Sequence, residues 1–302
     1  MKSCAILLAA IFLSSCTSVR HGSPFIDPAL EMLIPADAVF IIGANVDEIK
    51  NTPVYQKLLS QVDLPQLNQF TQQTGLDPRK DLRQLISVSN GKTGLLMARG
   101  NFSEGDLAPK LEEKGAKRID YKGYNMFGND QGAVVFMNAS TAVAGATPEL
   151  RQMIDQRNTP ARGLPPALRD QIRVLPANDQ IWAALTGGLQ GMNVGVPQES
   201  NLGSVLQALR GIISIRLGID LRNGFDAQAE ATCQTERDAK HVHDMVKGLV
   251  GIGRLSTPDN QPEMLKLYDA IKVTQQQNHA DVTADIPTEQ VDRFLDLWMK
   301  KK

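Results

Sequence analysis

The clearest pattern in the chain is a run of strict alternation near its C-terminal third. Ile213, Ile215, Leu217, Ile219 and Leu221 alternate with Ser214, Arg216, Gly218 and Asp220. After Arg222-Asn223-Gly224 the chain alternates again, with Phe225, Ala227, Ala229, Ala231 and Cys233 against Asp226, Gln228, Glu230 and Thr232. Period-two patterning of this length predicts a hairpin with one buried face. The pattern also predicts the register. A two-residue Asn-Gly loop would oppose Leu221 to Asp226, on mismatched faces. A three-residue loop with Gly224 at positive φ opposes Leu221 to Phe225 and Arg216 to Glu230, a favourable cross-strand pair. The alanines of the second strand predict a closely packed helix.

The same reading extends outward. Strands are predicted at 39–46, 85–90, 94–102, 117–121, 124–127, 133–137, 141–145, 181–186, 270–276 and 280–286. Helices are predicted after Thr52-Pro53, where threonine is the N-cap and proline the first helical residue, and from Ser103 to Gly115. Further helices are predicted from Thr147-Pro148-Glu149, from the capping box Thr235-Glu236-Arg237-Asp238 and from Pro287-Thr288-Glu289. The helix after Thr235 carries Ala239, Val242, Val246 and Leu249 on one face. The last carries Val291, Phe294, Leu295 and Trp298 at helical spacing.

The two halves read in the same order, and Ser103-Glu104 and Pro148-Glu149 recur at similar spacing as Thr235-Glu236 and Thr288-Glu289. The expected fold is α+β: two duplicated modules of antiparallel hairpins with helices on one face, compatible with a ferredoxin-like sandwich. The expected organisation is a signal peptide over 1–15, a tether over 16–30, a first module over 31–157, a linker over 158–178 rich in proline and glycine, and a second module over 179–302. Two such modules would leave a cleft or a continuous sheet between them.

Composition narrows the function classes. The chain of 302 residues has a formal net charge of −1, 42% hydrophobic residues and 22% charged residues. That is an ordinary globular balance, and it lacks the clustered basic field that nucleic acid requires. Three cysteines are present: Cys4, Cys16 and Cys233. Cys233 falls on the buried face of the predicted hairpin, where a thiol is a small hydrophobe.

The N-terminus carries the sharpest signal. Lys2 precedes nine apolar residues from Ala5 to Leu13, which are too few to span a bilayer. Leu13-Ser14-Ser15-Cys16 follows and resembles the lipobox of bacterial lipoproteins. That resemblance, confined to residues 1–17, implies cleavage before Cys16 and alkylation of its thiol by a diacylglycerol. Acylation of the new amino group commonly follows, and several acyl chains suffice for stable anchoring. Thr17 stands where an aspartate tends to retain such proteins in the inner membrane of enteric bacteria. The resemblance therefore implies an outer-membrane address facing the periplasm, with the folded domain close to the lipid.

Other chemistry is sparse. His241 and His243 are two apart on a predicted helix and point about 200° apart, so they do not share a metal. No nucleophile elbow is present. Ser89-Asn90-Gly91-Lys92-Thr93 lacks the leading glycine and following helix of a phosphate loop. No cofactor motif is found. Asp220 and Asp226 flank the hairpin turn and read as a solvated tip beside Arg222. Gly187, Gly188, Gly191 and Gly195 precede a predicted helix and are the candidate ligand-binding residues, with a plain loop as the alternative. Together these features predict a lipid-anchored, non-enzymatic binding module with an envelope protein as partner. The alternatives are a tethered hydrolase with its site between the modules, or an apolar-ligand carrier.

Overall fold

The computed structural model describes residues 22–61, 65–157, 159, 163–188, 209–258 and 260–299. Its strands are β1 (Phe40–Asn45), β2 (Leu82–Ser89), β3 (Gly94–Gly100), β4 (Lys117–Tyr121), β5 (Tyr124–Gly128), β6 (Ala133–Asn138), β7 (Thr141–Gly145), β8 (Ile181–Thr186), β9 (Ile212–Asp220), β10 (Gly224–Cys233), β11 (Ile271–Gln276) and β12 (His279–Pro287). Its helices are α1 (Pro28–Glu31), α2 (Val46–Lys50), α3 (Pro53–Gln61), α4 (Pro65–Thr74), α5 (Pro78–Asp81), α6 (Glu104–Glu113), α7 (Thr147–Gln156), α8 (Pro166–Arg173), α9 (Glu236–Leu255), α10 (Pro262–Asp269) and α11 (Thr288–Met299). Several open on proline, whose fixed φ suits the first turn and whose missing N–H is not needed there. Before α9, the Thr235 hydroxyl accepts from the Asp238 N–H at 3.1 Å, the cap expected of that sequence. Among the described residues no helix is long and apolar enough to cross a membrane.

The fold is α+β, and all twelve strands form one antiparallel sheet in the order β11-β12-β10-β9-β8-β1-β2-β3-β7-β6-β5-β4. The interleaved strand order of a ferredoxin-like sandwich is not adopted. Each half starts as a three-strand meander to which later antiparallel strands are added, and every neighbouring pair is antiparallel. From the middle outward, β1-β2-β3-β7-β6 and β8-β9-β10-β12-β11 follow one order, and β5-β4 extend the first half. A duplication would leave such an order, and duplication remains our proposal. The outer strands carry Lys117, Arg118 and Lys272, charges that discourage edge-to-edge pairing.

The halves meet strand to strand, β1 against β8, with Gly43 opposite Trp182. The front face of the first half holds the largest cluster. Ile41, Ile86, Met97, Met126 and Val143 pack there with Leu30 of α1, Leu150 and Met153 of α7, and Leu168 and Ile172 of α8. The back face holds Phe127, Phe136 and Ala142 under Leu107 of α6. The first half is thus covered on both faces. In the second half the apolar side is the back face, where Cys233 and Ala280 pack with Ala239 and Val242 of α9. α3 crosses from the first half to α11, and the Lys57 ammonium lies 3.0 Å from Asp296.

Three local expectations are corrected. Residues 158–178, read as a linker, contain α8, whose Leu168 and Ile172 enter the front core. The pattern at β9 slips near its start, because a bulge between Thr232 and Cys233 sets Ile212, not Ile213, opposite Cys233; Ile213 is exposed. Leu249 is exposed with Ile252 and Leu255, because the α9 residues that pack in the back-face cluster run only from Ala239 to Val246. The hairpin register is as expected: Asp220 opposes Asp226, Arg216 opposes Glu230, and the latter two form an ion pair.

Trp182 is fully buried, and a Cβ placed on Gly43 would sit 2.2 Å from its ring. Gly43→Ala should therefore destabilise the protein by about 3 kcal/mol through overpacking, read as a lower urea midpoint. Gly105→Ala, where a Cβ meets nothing within 4 Å, should be neutral or stabilising.

Candidate functional site

Each central strand carries a polar residue at the same end, and antiparallel pairing collects these into a single row on the front face. Thr141 opposes Arg99, Arg99 opposes Gln84, and Gln84 opposes Asn45. Across the joint the Asn45 N–H donates to the Gln180 carbonyl at 2.8 Å, and the Gln180 N–H donates to the Ile219 carbonyl at 3.0 Å. The row continues through Asp220, Asp226 and Asp285, which oppose one another in turn. Thr141, Gln84, Asn45 and Gln180 are all buried. Buried polar groups of this kind need partners, and the row supplies them laterally.

In the first half the Arg99 guanidinium donates through Nε to Asp27 Oδ2 at 2.9 Å and through Nη1 to the Ser140 carbonyl at 2.9 Å. Gln84 Oε1 accepts from the Asp27 N–H at 2.8 Å, and its Nε2 donates to the Phe25 carbonyl at 2.7 Å and to Asn45 Oδ1. The segment leading from the N-terminus is thereby tied across the ends of β2 and β3. Beneath it lies an open pocket of about 180 Å³ lined by Phe25, Asp27, Asn45, Glu48, Arg83 and Arg99, among others.

In the second half Asp220 is the focus. It accepts from Asn178 Nδ2 at 2.7 Å, from Gln180 Nε2 at 3.1 Å and from Arg222 Nη2 at 2.6 Å. Burial pushes its carboxyl up, but these donors outweigh burial and hold it at about 2. Asp220 is therefore a paired group built into the sheet end, not the freely solvated tip that its position beside a turn suggests. Asp179 stands next to it, only 3% exposed, and its Oδ2 has no hydrogen-bond partner among the described residues. It presses on Gly218, where a Cβ would lie 1.9 Å from that oxygen. Burial, reinforced by the negative charge of Asp220, pushes the Asp179 carboxyl up to about 6. The two carboxyls thus hold opposite protonation preferences near pH 4–6, but Asp179 is closed off from any substrate.

The residues singled out from sequence lie elsewhere. Gly187 and Gly188 adopt positive φ at the far end of β8 from the polar row. The Gly188 N–H donates to the Ile213 carbonyl at 2.9 Å, so this pair closes the strand. Gly191, Gly195 and Cys16 lie outside the described residues. His243 pairs with Asp244 at 2.8 Å and His279 with Glu230 at 3.2 Å. Among the described residues no group of three or more acidic, histidine or cysteine side chains is placed to hold a metal. Cys233 is fully buried, and burial together with Asp238 pushes its thiol up, which leaves it unreactive. The polar row itself is missed by sequence reading. Its local trace is a polar residue bounding each apolar run: Asn45, Gln84, Arg99, Gln180 and Asp220.

Asp179 makes stability depend on pH. Its native carboxyl binds its proton more tightly than the unfolded one, so its contribution is complete below the ordinary value of 3.8 and is lost as pH rises to about 6. The difference amounts to about 3 kcal/mol. Asp220 acts in the opposite sense, losing its contribution only as pH falls from 3.8 toward about 2. Asp179→Asn should raise stability by about 1–3 kcal/mol at pH 7.5 and change little at pH 4. Denaturant titrations at the two pH values test this; a variant less stable at pH 7.5 would show that Asp179 is held ionised.

No family model and no curated protein matches the chain. Among solved structures it resembles crystal form I of TP0453, with 10% identity and a TM-score of 0.47 over 90% of this chain and 97% of that one. It also resembles crystal form III of TP0453, with 11% identity and a TM-score of 0.49 over 89% and 97%, and crystal form IV, with 10% and 0.46 over 90% and 97%.

Proposed function

We propose that this chain is an envelope lipoprotein, anchored by lipid on Cys16, whose folded domain is a non-enzymatic binding module. The observation that carries the reading is the place where the N-terminal segment meets the domain. Phe25 and Asp27 form one wall of the open polar pocket and are bonded to Gln84 and Arg99. Five residues lie between Cys16 and Gly22, a span of at most about 22 Å when fully extended. Lipid on Cys16 would therefore hold this corner of the sheet near the bilayer surface. The most perturbed carboxyl, Asp179, is enclosed. Thr17 favours the outer membrane, with the domain facing the periplasm and an envelope component as its partner.

The anchoring is tested by labelling cells with radioactive palmitate and separating their membranes. Wild type should carry label and sediment with the outer membrane; Cys16→Ser should lose label and appear in the soluble fraction. Crosslinked pull-down from the same membranes should recover one dominant envelope partner with wild type and lose it with the variant. Label retained by Cys16→Ser would overturn the anchoring assignment. Absence of any specific partner in both samples would overturn the protein-partner reading.

A further inference from the structure

The segment leading from the N-terminus holds one aromatic ring out of the protein. Pro24 is buried, and Ile26 packs against the front core. Between them the Phe25 carbonyl accepts from Gln84 Nε2 at 2.7 Å, and the Asp27 N–H donates to Gln84 Oε1 at 2.8 Å. With the backbone tied in this way the Phe25 ring stays outside, 58% exposed. It borders an open hollow of about 440 Å³ between this segment and α8, whose walls include Glu31, Leu164, Arg169 and Arg173. Met32 follows Glu31 at the end of α1, and Val174 follows Arg173 at the end of α8; both are exposed. Single exposed hydrophobic residues are ordinary, but three beside one polar-rimmed hollow mark an interaction surface. The charges there balance. Arg169 pairs with Glu31 at 2.9 Å and Arg173 with Asp170 at 3.6 Å, so the surface does not select a charged partner.

The path of the chain selects the partner. Gly22 lies against Ala177, three residues beyond Val174: a Cβ added to Gly22 would stand 3.2 Å from the Ala177 Cβ. From there the five residues between Cys16 and Gly22 reach at most about 22 Å, so lipid on Cys16 stays within that distance of this corner. We propose that the corner docks on the phospholipid bilayer, with Phe25, Met32 and Val174 entering the boundary between headgroups and acyl chains. The proposal rests on the anchoring of Cys16 and names the face of the domain that is turned to the membrane. Apolar side chains are stabilised at that boundary by leaving water. Three of them fall well short of an acyl chain, and a single acyl chain itself binds only marginally. Docking therefore orients the anchored domain and does not replace the anchor. A second apolar stripe, Leu249, Ile252 and Leu255 on α9, belongs to the other half and to the opposite face of the sheet.

The test uses the purified, lipidated full-length protein in phosphatidylethanolamine–phosphatidylglycerol vesicles whose acyl chains are brominated near the headgroup. Flotation reads the anchor, and quenching of tryptophan emission by bromine reads depth. Wild type, with Trp182 and Trp298, supplies the background. In Phe25→Trp and Val174→Trp the added emission should be largely lost, whereas Leu255→Trp should keep it. Raising the salt concentration should leave the quenching unchanged, because the charges at the corner are paired and docking is apolar. Adding Phe25→Asp to Val174→Trp should restore the emission, since a carboxylate is unfavourable at the acyl boundary. All three labelled positions are exposed, and circular dichroism confirms that each variant is folded. Emission retained by Phe25→Trp or Val174→Trp in floated vesicles would overturn the docking and leave the anchor standing; retained emission shifted to the blue would mean that a second copy covers the corner instead. Equal quenching in Leu255→Trp would also overturn the docking. Loss of flotation would overturn the anchoring, and the docking with it.

Discussion

The packing of one indole governs the architecture. Trp182 fills the middle of the joint between the two halves, and its cross-strand neighbours are glycines on both sides, Gly43 on β1 and Gly218 on β9. The space a side chain at Gly43 would need is taken by the indole, and the space at Gly218 is taken by the Asp179 carboxyl. A large aromatic can lie flat at a strand junction only where its neighbours project nothing, because interiors are packed to crystal-like density. With Trp182 seated, β1 and β8 pair along their length, α8 closes over β8 and β9, and the sheet passes from one half to the other without a break. A cleft between modules, the alternative to a continuous sheet, therefore does not arise.

The polar row depends on the same joint. Because β1 and β8 pair in one register, Asn45 meets Gln180, and the hydrogen-bonded series from Thr141 to Asp220 becomes continuous. Its two ends differ in character. On the first-half side the N-terminal segment closes over Gln84 and Arg99 and leaves an open pocket. On the second-half side acidic residues accumulate, with Arg222 paired to Asp220 at the sheet end. The same lateral geometry thus yields an open pocket on one side and a titrating structural group on the other.

Much of the local structure was legible in the sequence. The alternation at 213–233 determined the hairpin and its register, since only a three-residue loop keeps Leu221, Phe225 and their neighbours on one face. Thr235 announced the cap of α9. Local patterns mislead where the tertiary structure overrides them. The Thr232/Cys233 bulge exchanged Ile212 for Ile213. The packed face of α9 ends at Val246, so Leu249 faces outward. α8 hid in a proline-rich stretch because its helical stripe, Leu168 and Ile172, is short.

The sequence by itself determined the hairpins, the helix starts and the N-terminal pattern at Cys16, because each rests on neighbours within a few residues: side-chain period, capping and turn stereochemistry. Only the tertiary structure decided which polar residues meet. Asn45, Gln84, Arg99, Gln180 and Asp220 are separated by long stretches of chain, and each alone looks like an ordinary strand end. Their meeting depends on strand order and on the β1–β8 register, which Trp182 and its two glycines determine and which no local pattern encodes.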